Sequence, residues 1–227
     1  MFSAWAGGAD GKLGSAYGVV VAGDPQRHLG AGSHPLEPTT QGGPDYGRFI
    51  EAVRDLQNHA RAAAAPDEII SQAAGLIEEA CHLLAPFDTD EWRSPSGRRM
   101  DLPVRGNLLT IPMKVHKTDD GRIEGWARFA RFHLGRNGAV HGGVVGQLFD
   151  TVLGLSASVC TGGPYQRTAY LHLDYRQIVP IDQELWIEAG VDRVDGRKIF
   201  VSGRLSDAGT VLSAGSALFV LLKPGQR

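Results

Sequence analysis

Apolar residues change their spacing twice along this chain, and the changes divide it into four parts. Residues 1–44 hold no sustained period, and Gly, Ser, Pro and Thr are frequent there. Such a segment reads as a flexible tail. From Asp45 onward, Phe49, Val53, Leu56 and Ala60 recur every three or four residues, which is the spacing of one helical face. Pro66 interrupts and suits the first turn of a second helix over Asp67–Leu84, with Ile69, Ile70, Ala73, Ile77, Cys81 and Leu84 as its apolar stripe. Together these predict a helical hairpin over 45–85. Residues 86–106 are polar and carry Pro86, Ser94, Pro95, Arg98 and Arg99, the texture of a linker.

Beyond Asn107 the period becomes two. Leu109, Ile111, Met113 and Val115 alternate with smaller or polar residues, Thr118-Asp119-Asp120-Gly121 supplies a turn, and Arg122–Phe132 resumes as a second strand. From His141 to Cys160 the alternation disappears, and four strand-like runs follow: Thr168–Val179, Glu184–Val191, Lys198–Leu205 and Val211–Leu222. The order ββ-α-ββββ, with short last connections, predicts an α+β domain over 107–227. An antiparallel sheet wraps a helix that has to bury its apolar surface.

Composition sharpens this picture. The chain has 227 residues, 42% of them hydrophobic, and a formal net charge of −2. That is enough apolar surface for a core, and it gives no electrostatic footprint for nucleic acid or an anionic membrane. Cys81 and Cys160 stand far apart, which fits a reducing compartment, and no Lys/Arg-headed signal segment opens the chain. The expectation is a cytoplasmic protein. Apolar runs such as 18–23 and 218–222 fall short of a membrane span. The His residues lack metal-ligand spacing, so no metal is expected. The 30 glycines exceed average usage; ten fall in 1–44 and eight in 135–163.

The second glycine cluster surrounds the segment that could carry chemistry. Across 138–160, Asp150 is the sole formally charged residue. A helix this apolar is expected to be buried, and a carboxylate in it has to be paired, hydrogen-bonded or protonated. Asp150 could serve a reaction or merely accept hydrogen bonds. At the helix start, unpartnered first-turn N–H groups stabilise an oxygen gaining negative charge. Gly142 and Gly143 would keep that end bare, and His141 stands beside it as a site residue or a cap. Nine residues separate His141 from Asp150, which is roughly 13–14 Å of helical rise and about half a turn. If both act on one carbonyl, Asp150 has to come from a second copy whose helix runs antiparallel, so catalysis would imply a dimer.

From about 107 to 223 the chain resembles the hotdog-fold acyl-CoA thioesterases of the PaaI-like group. The resemblance is carried by His141-Gly142-Gly143, Asp150, Thr168-Ala169-Tyr170-Leu171, Asp174-Tyr175-Arg176, Ile178-Val179-Pro180, Gly196-Arg197-Lys198-Ile199-Phe200-Val201-Ser202 and Ala217-Leu218-Phe219-Val220. It implies a hotdog fold, homodimers that can pair into tetramers, and thioester hydrolysis without a cofactor, CoA being part of the substrate. It further implies that the Gly142 N–H polarises the carbonyl beside His141, that the neighbouring subunit's Asp150 is base or nucleophile with raised proton affinity, and that Thr168 positions water. Gly143 would border the substrate, and Arg176, Arg197 and Lys198 match basic positions suited to the CoA phosphates. A second oxyanion donor found in some members six residues before the histidine is here Gly135, leaving Asn137 as the nearest candidate. A non-catalytic acyl-thioester-binding module on the same fold is the alternative. Phe149, Val152, Leu171 and Leu173 are candidates for the acyl wall or for plain core.

Overall fold

A computed structural model describes residues 37–163 and 165–223. Helices α1 (Tyr46–Ala62) and α2 (Asp67–Leu84) precede strands β1 (Met113–Lys117) and β2 (Ile123–Arg128). A 20-residue helix, α3 (Gly142–Thr161), then leads into β3 (Gln166–Tyr175), β4 (Glu184–Asp195), β5 (Lys198–Asp207) and β6 (Thr210–Leu221). The strands form one antiparallel sheet in the order β1-β2-β4-β5-β6-β3, with β3 at an edge. Helix α3 packs across β3, β4, β5 and β6, which is the hotdog arrangement.

The seat of α3 depends on two glycines. Gly203 of β5 and Gly215 of β6 face each other in register. A Cβ on Gly215 would lie 2.6 Å from the Phe149 ring and 2.8 Å from Leu173, and one on Gly203 would lie 3.2 Å from Leu153. Missing side chains at these two positions form the hollow that receives Phe149 and Leu153, both fully buried. Phe149 and Val152 are therefore core residues, while Leu171 and Leu173 are only partly buried.

One stripe of α3 is buried, namely Val145, Leu148, Phe149, Val152, Leu153, Ser156 and Ala157. The opposite face is open in the single chain, and the expected buried carboxylate, Asp150, is exposed on it. Length and apolar content alone would let α3 cross a membrane, so the longest apolar stretch is longer than the short runs suggested. In this fold α3 is the helix the sheet covers.

Other boundaries also move. β1 starts at Met113 rather than near Leu109, because Pro112 has no N–H for the ladder. β2 ends at Arg128 and turns into a 3-10 segment, Arg131–His133, and β3 ends at Tyr175 rather than Val179. The segment 86–106 is tied down rather than a loose linker. The Arg99 guanidinium is buried, grips Asp101 with two bonds of 2.8 and 2.7 Å, and donates to the carbonyls of Gln41 and Gly43 ahead of α1. That bidentate contact holds the Asp101 carboxyl below the usual carboxylate range.

The two N-terminal helices do not close into a packed hairpin. Pro66 carries an extended backbone, and α2 buries none of its residues, its stripe remaining open at Ile69, Ile70, Ile77 and Leu84. The tail reading for residues 1–36 lies outside the described residues.

Filling the hollow should cost stability. Gly215→Val is expected to destabilise the protein by about 1–3 kcal/mol through overpacking against Phe149 and Leu173, read as a lower Tm; an unchanged Tm would contradict the seating described above.

Candidate active site

The start of α3 is built by a tight turn. Leu134 and Val140 bridge, Ala139 N–H donates to Arg136 O at 3.1 Å, and Asn137 and Gly138 at the tip both have positive φ, 54° and 76°. This is the conformation Asn-Gly favours. Asn137 stands at the tip of this turn, and among the described residues no hydrogen bond ties its side chain to the helix start. Gly135 abuts the backbone of His141, where an added Cβ would lie 3.0 Å from the His141 Cα.

His141 is the N-cap. Its Nδ1 accepts the Gly143 N–H at 3.1 Å, and its carbonyl accepts from Val144 and Val145 at 2.9 and 3.2 Å. The imidazole therefore works as a capping acceptor. Among the described residues the Gly142 N–H has no partner. The Tyr175 hydroxyl donates to the Gly142 carbonyl at 2.8 Å, and the phenol lies 3.4 Å from where a Gly142 Cβ would stand. The result is one open donor at the positive end of a 20-residue helix, with no side chain of its own above it.

Asp150 lies a little over two turns beyond Gly142 on the same helix. Thr168 Oγ1 donates to Asp150 Oδ1 at 2.9 Å, so the two predicted residues meet within one chain. Two features aim Thr168. The β3–β6 register shifts between Thr168 and Tyr170, a bulge of the kind that redirects a side chain. Two residues earlier, buried Gln166 donates to Gly154 O at 3.1 Å and Ser158 Oγ at 2.6 Å on α3. The hydroxyl proton is used on the carboxylate, which leaves the Thr168 lone pairs for a water.

The single chain does not bring His141 and Asp150 together, nor the predicted cations. Arg176 follows β3 at the Gly142 end, beside Asp174 at 4.0 Å. Lys198 pairs with Val220 and Val220 with Arg167, at the Thr168 end, where Arg197 donates to Leu221 O at 2.8 Å. Eight residues of strand, roughly 27 Å, separate the two ends. Gly143 is exposed beside His141.

Sequence reading gave Tyr175 no role, although it stands inside the quoted Asp174-Tyr175-Arg176 match. It also missed the turn Arg131–His133 behind the cap. There the His133 carbonyl accepts the His141 N–H at 2.9 Å, and His133 Nδ1 accepts the Ala130 N–H at 2.9 Å. Burial, then the Arg54 charge, hold His133 below the usual histidine range.

Residues 137–214 match the thioesterase superfamily. The chain is 35% identical over 89 residues to the acyl-coenzyme A thioesterase THEM4 of Bos taurus, covering 38% of this chain and 35% of that protein. It is 32% identical over 92 residues to the Xenopus laevis protein of the same name, covering 40% of each. The matched region thus spans well under half the length of these relatives. A thioesterase superfamily protein of known crystal structure superimposes with a TM-score of 0.64 at 26% identity, over 81% of this chain and 97% of that one.

Two outcomes follow from the cap and the turn behind it. His141→Ala should cost about 1 kcal/mol in thermal or denaturant unfolding, and His141→Asn, which keeps a capping acceptor, should recover most of it; equal losses would contradict the capping role. His133 titrates at 6.5 when unfolded and lower when folded. Its contribution to stability is full above about pH 6.5 and is lost as pH falls toward the folded value. Tm measured from about pH 7 to about pH 5 should therefore fall less steeply in His133→Asn than in the unaltered protein; parallel curves would exclude it.

Proposed function

We propose that this protein hydrolyses acyl-CoA thioesters to a free carboxylic acid and CoA, a reading supported by the match of residues 137–214 to the thioesterase superfamily. The observation that carries the reading is the pair of half-sites on α3. One end offers the unpartnered Gly142 N–H, and the other offers Asp150 oriented by the Thr168 hydroxyl. The thioester carbonyl is placed on the Gly142 N–H. Water held between Thr168 and Asp150 attacks the carbonyl carbon and gives its proton to Asp150. The oxyanion forms at the helix start, where the dipole and the N–H stabilise it. Collapse breaks the carbon–sulfur bond, and Asp150 returns the proton to the CoA thiolate.

The two half-sites are completed by a homodimer with antiparallel α3 helices, the partner subunit's Asp150 facing Gly142. Dimers of dimers are compatible with this arrangement. The same two-fold relation would place Arg176 of one subunit near the Arg197-Lys198 pair of the other, which suits the CoA phosphates. The second copy would also remove Asp150 from water, raising its proton affinity toward that of a working base. No metal or further cofactor takes part, and a cytoplasmic setting suits two unpaired cysteines.

A non-catalytic acyl-thioester-binding module would not need Asp150. Asp150→Asn is expected to lower kcat for thiol release from a panel of short, medium, long and aryl acyl-CoAs by about 10²-fold or more. Gly142→Pro tests the other half-site. Proline suits the first helical position, and His141 is already extended, with ψ 130°, so the change removes the N–H with little disturbance. It should cost about 10²–10³-fold in kcat. Full activity in both variants would reject the mechanism, and a monomer by sedimentation would reject the shared site.

A further inference from the structure

Helix α1 lies outside residues 137–214, yet two of its side chains reach the two loops that hold the start of α3. Arg54 Nη2 donates to the carbonyls of Asn107 and Thr110 at 2.7 and 3.2 Å. Asn58, one turn further on the same face, accepts the Phe132 N–H at 3.0 Å through Oδ1. Each loop is in turn bonded to the catalytic helix. Leu109 O accepts from Gln147 Nε2 at 2.8 Å, and His133 O accepts the His141 N–H at 2.9 Å. From α1 two hydrogen bonds thus enter the 107–110 loop and one enters the 131–133 turn, and from each of these one bond runs on to the start of α3.

The His133 ring packs edge-on against buried Phe129, but the large apolar side chains of these two loops are open. Leu109 is 73% exposed and Phe132 is 46% exposed, so polar contacts carry a large share of holding them in place. Those contacts are strong for their setting. The Arg54 guanidinium is partly desolvated, which lowers its proton affinity from the ordinary value, and it remains charged at neutral pH. A charged donor on two carbonyls is worth more than a neutral one.

We propose that α1 braces the N-terminal turn of α3, with Arg54 and Asn58 as positioning residues for the hydrolysis proposed above, on which this role rests. The His141–Gly142 peptide carries the open N–H. Its backbone is fixed on one side by the His141 N–H to His133 O bond, and Asn58 fixes the residue before that carbonyl. Oxyanion stabilisation requires the donor at about 2.7–3.1 Å from the developing charge. Slack in the 131–133 turn therefore costs rate, while CoA binding at the site mouth is left nearly intact.

The test compares Asn58→Ala, which removes the acceptor, with Asn58→Asp, which keeps one, in the full chain. Two readouts are taken, steady-state acyl-CoA hydrolysis and hydrogen–deuterium exchange over residues 130–146. Asn58→Ala should lower kcat about tenfold with KM within about twofold. It should also speed exchange of the Phe132 and His141 amides about tenfold, and Asn58→Asp should restore both. Unchanged exchange at His141 in Asn58→Ala, or equal losses in both variants, would overturn the brace. If the unaltered chain releases no CoA, the hydrolysis reading fails, and the exchange data still decide whether α1 fixes the helix start.

Discussion

The unpartnered N–H at Gly142 is the constraint around which the domain is arranged. His141 satisfies the next three amides of α3, the Gly143 N–H through its ring and those of Val144 and Val145 through its carbonyl. One donor is left at the positive end of the helix dipole. In water such a donor costs nothing. Once a substrate displaces that water, it becomes the strongest local interaction available to a carbonyl oxygen. Keeping it open depends on a turn that delivers His141 as an extended residue and on Tyr175, whose hydroxyl is spent on the Gly142 carbonyl. It also requires a fixed helix depth, which the facing pair Gly203 and Gly215 provides by making room for Leu153 and Phe149.

A second constraint is distance. The open donor and the carboxylate lie about 12 Å apart along one helix. The edge strand β3 runs past both, touching Asp150 through Thr168 and Gly142 through Tyr175. A single strand thus sets the geometry of two half-sites that belong, in the proposed dimer, to different catalytic centres. The free edge of β3 and the open face of α3 are the surfaces such a dimer would cover, and the exposure of Asp150 in the single chain follows directly.

Much of this was legible in the sequence because periodicity reports burial. Period-two runs located the strands, and the change of period at His141 located α3. The bounds erred where backbone chemistry overrode pattern, as at Pro112, which cannot donate to a ladder. Asp150 was expected to be buried because α3 is apolar on most of its circumference, but composition does not reveal which half of a helix its own sheet covers. The segment 86–106 looked like a linker because arginines usually mark surface. Arg99 is instead buried, and its partners, Asp101 and the Gln41 and Gly43 carbonyls, include two nearly 60 positions away. Tyr175, Arg54 and Asn58 were invisible for the same reason: their bonding partners are backbone atoms, and a sequence carries no mark of which backbone atoms a fold brings near.

In the proposed dimer, each catalytic centre draws its carbonyl-binding donor from one subunit and its carboxylate from the other. Mixed dimers of Asp150→Asn and Gly142→Pro, purified with separate tags, measure this directly. Each variant homodimer is expected to keep about a hundredth of the activity or less. If the site is shared, the mixed dimer contains one intact centre and recovers about half of the unaltered activity per dimer; if donor and carboxylate act within one chain, its activity stays at the level of its parents.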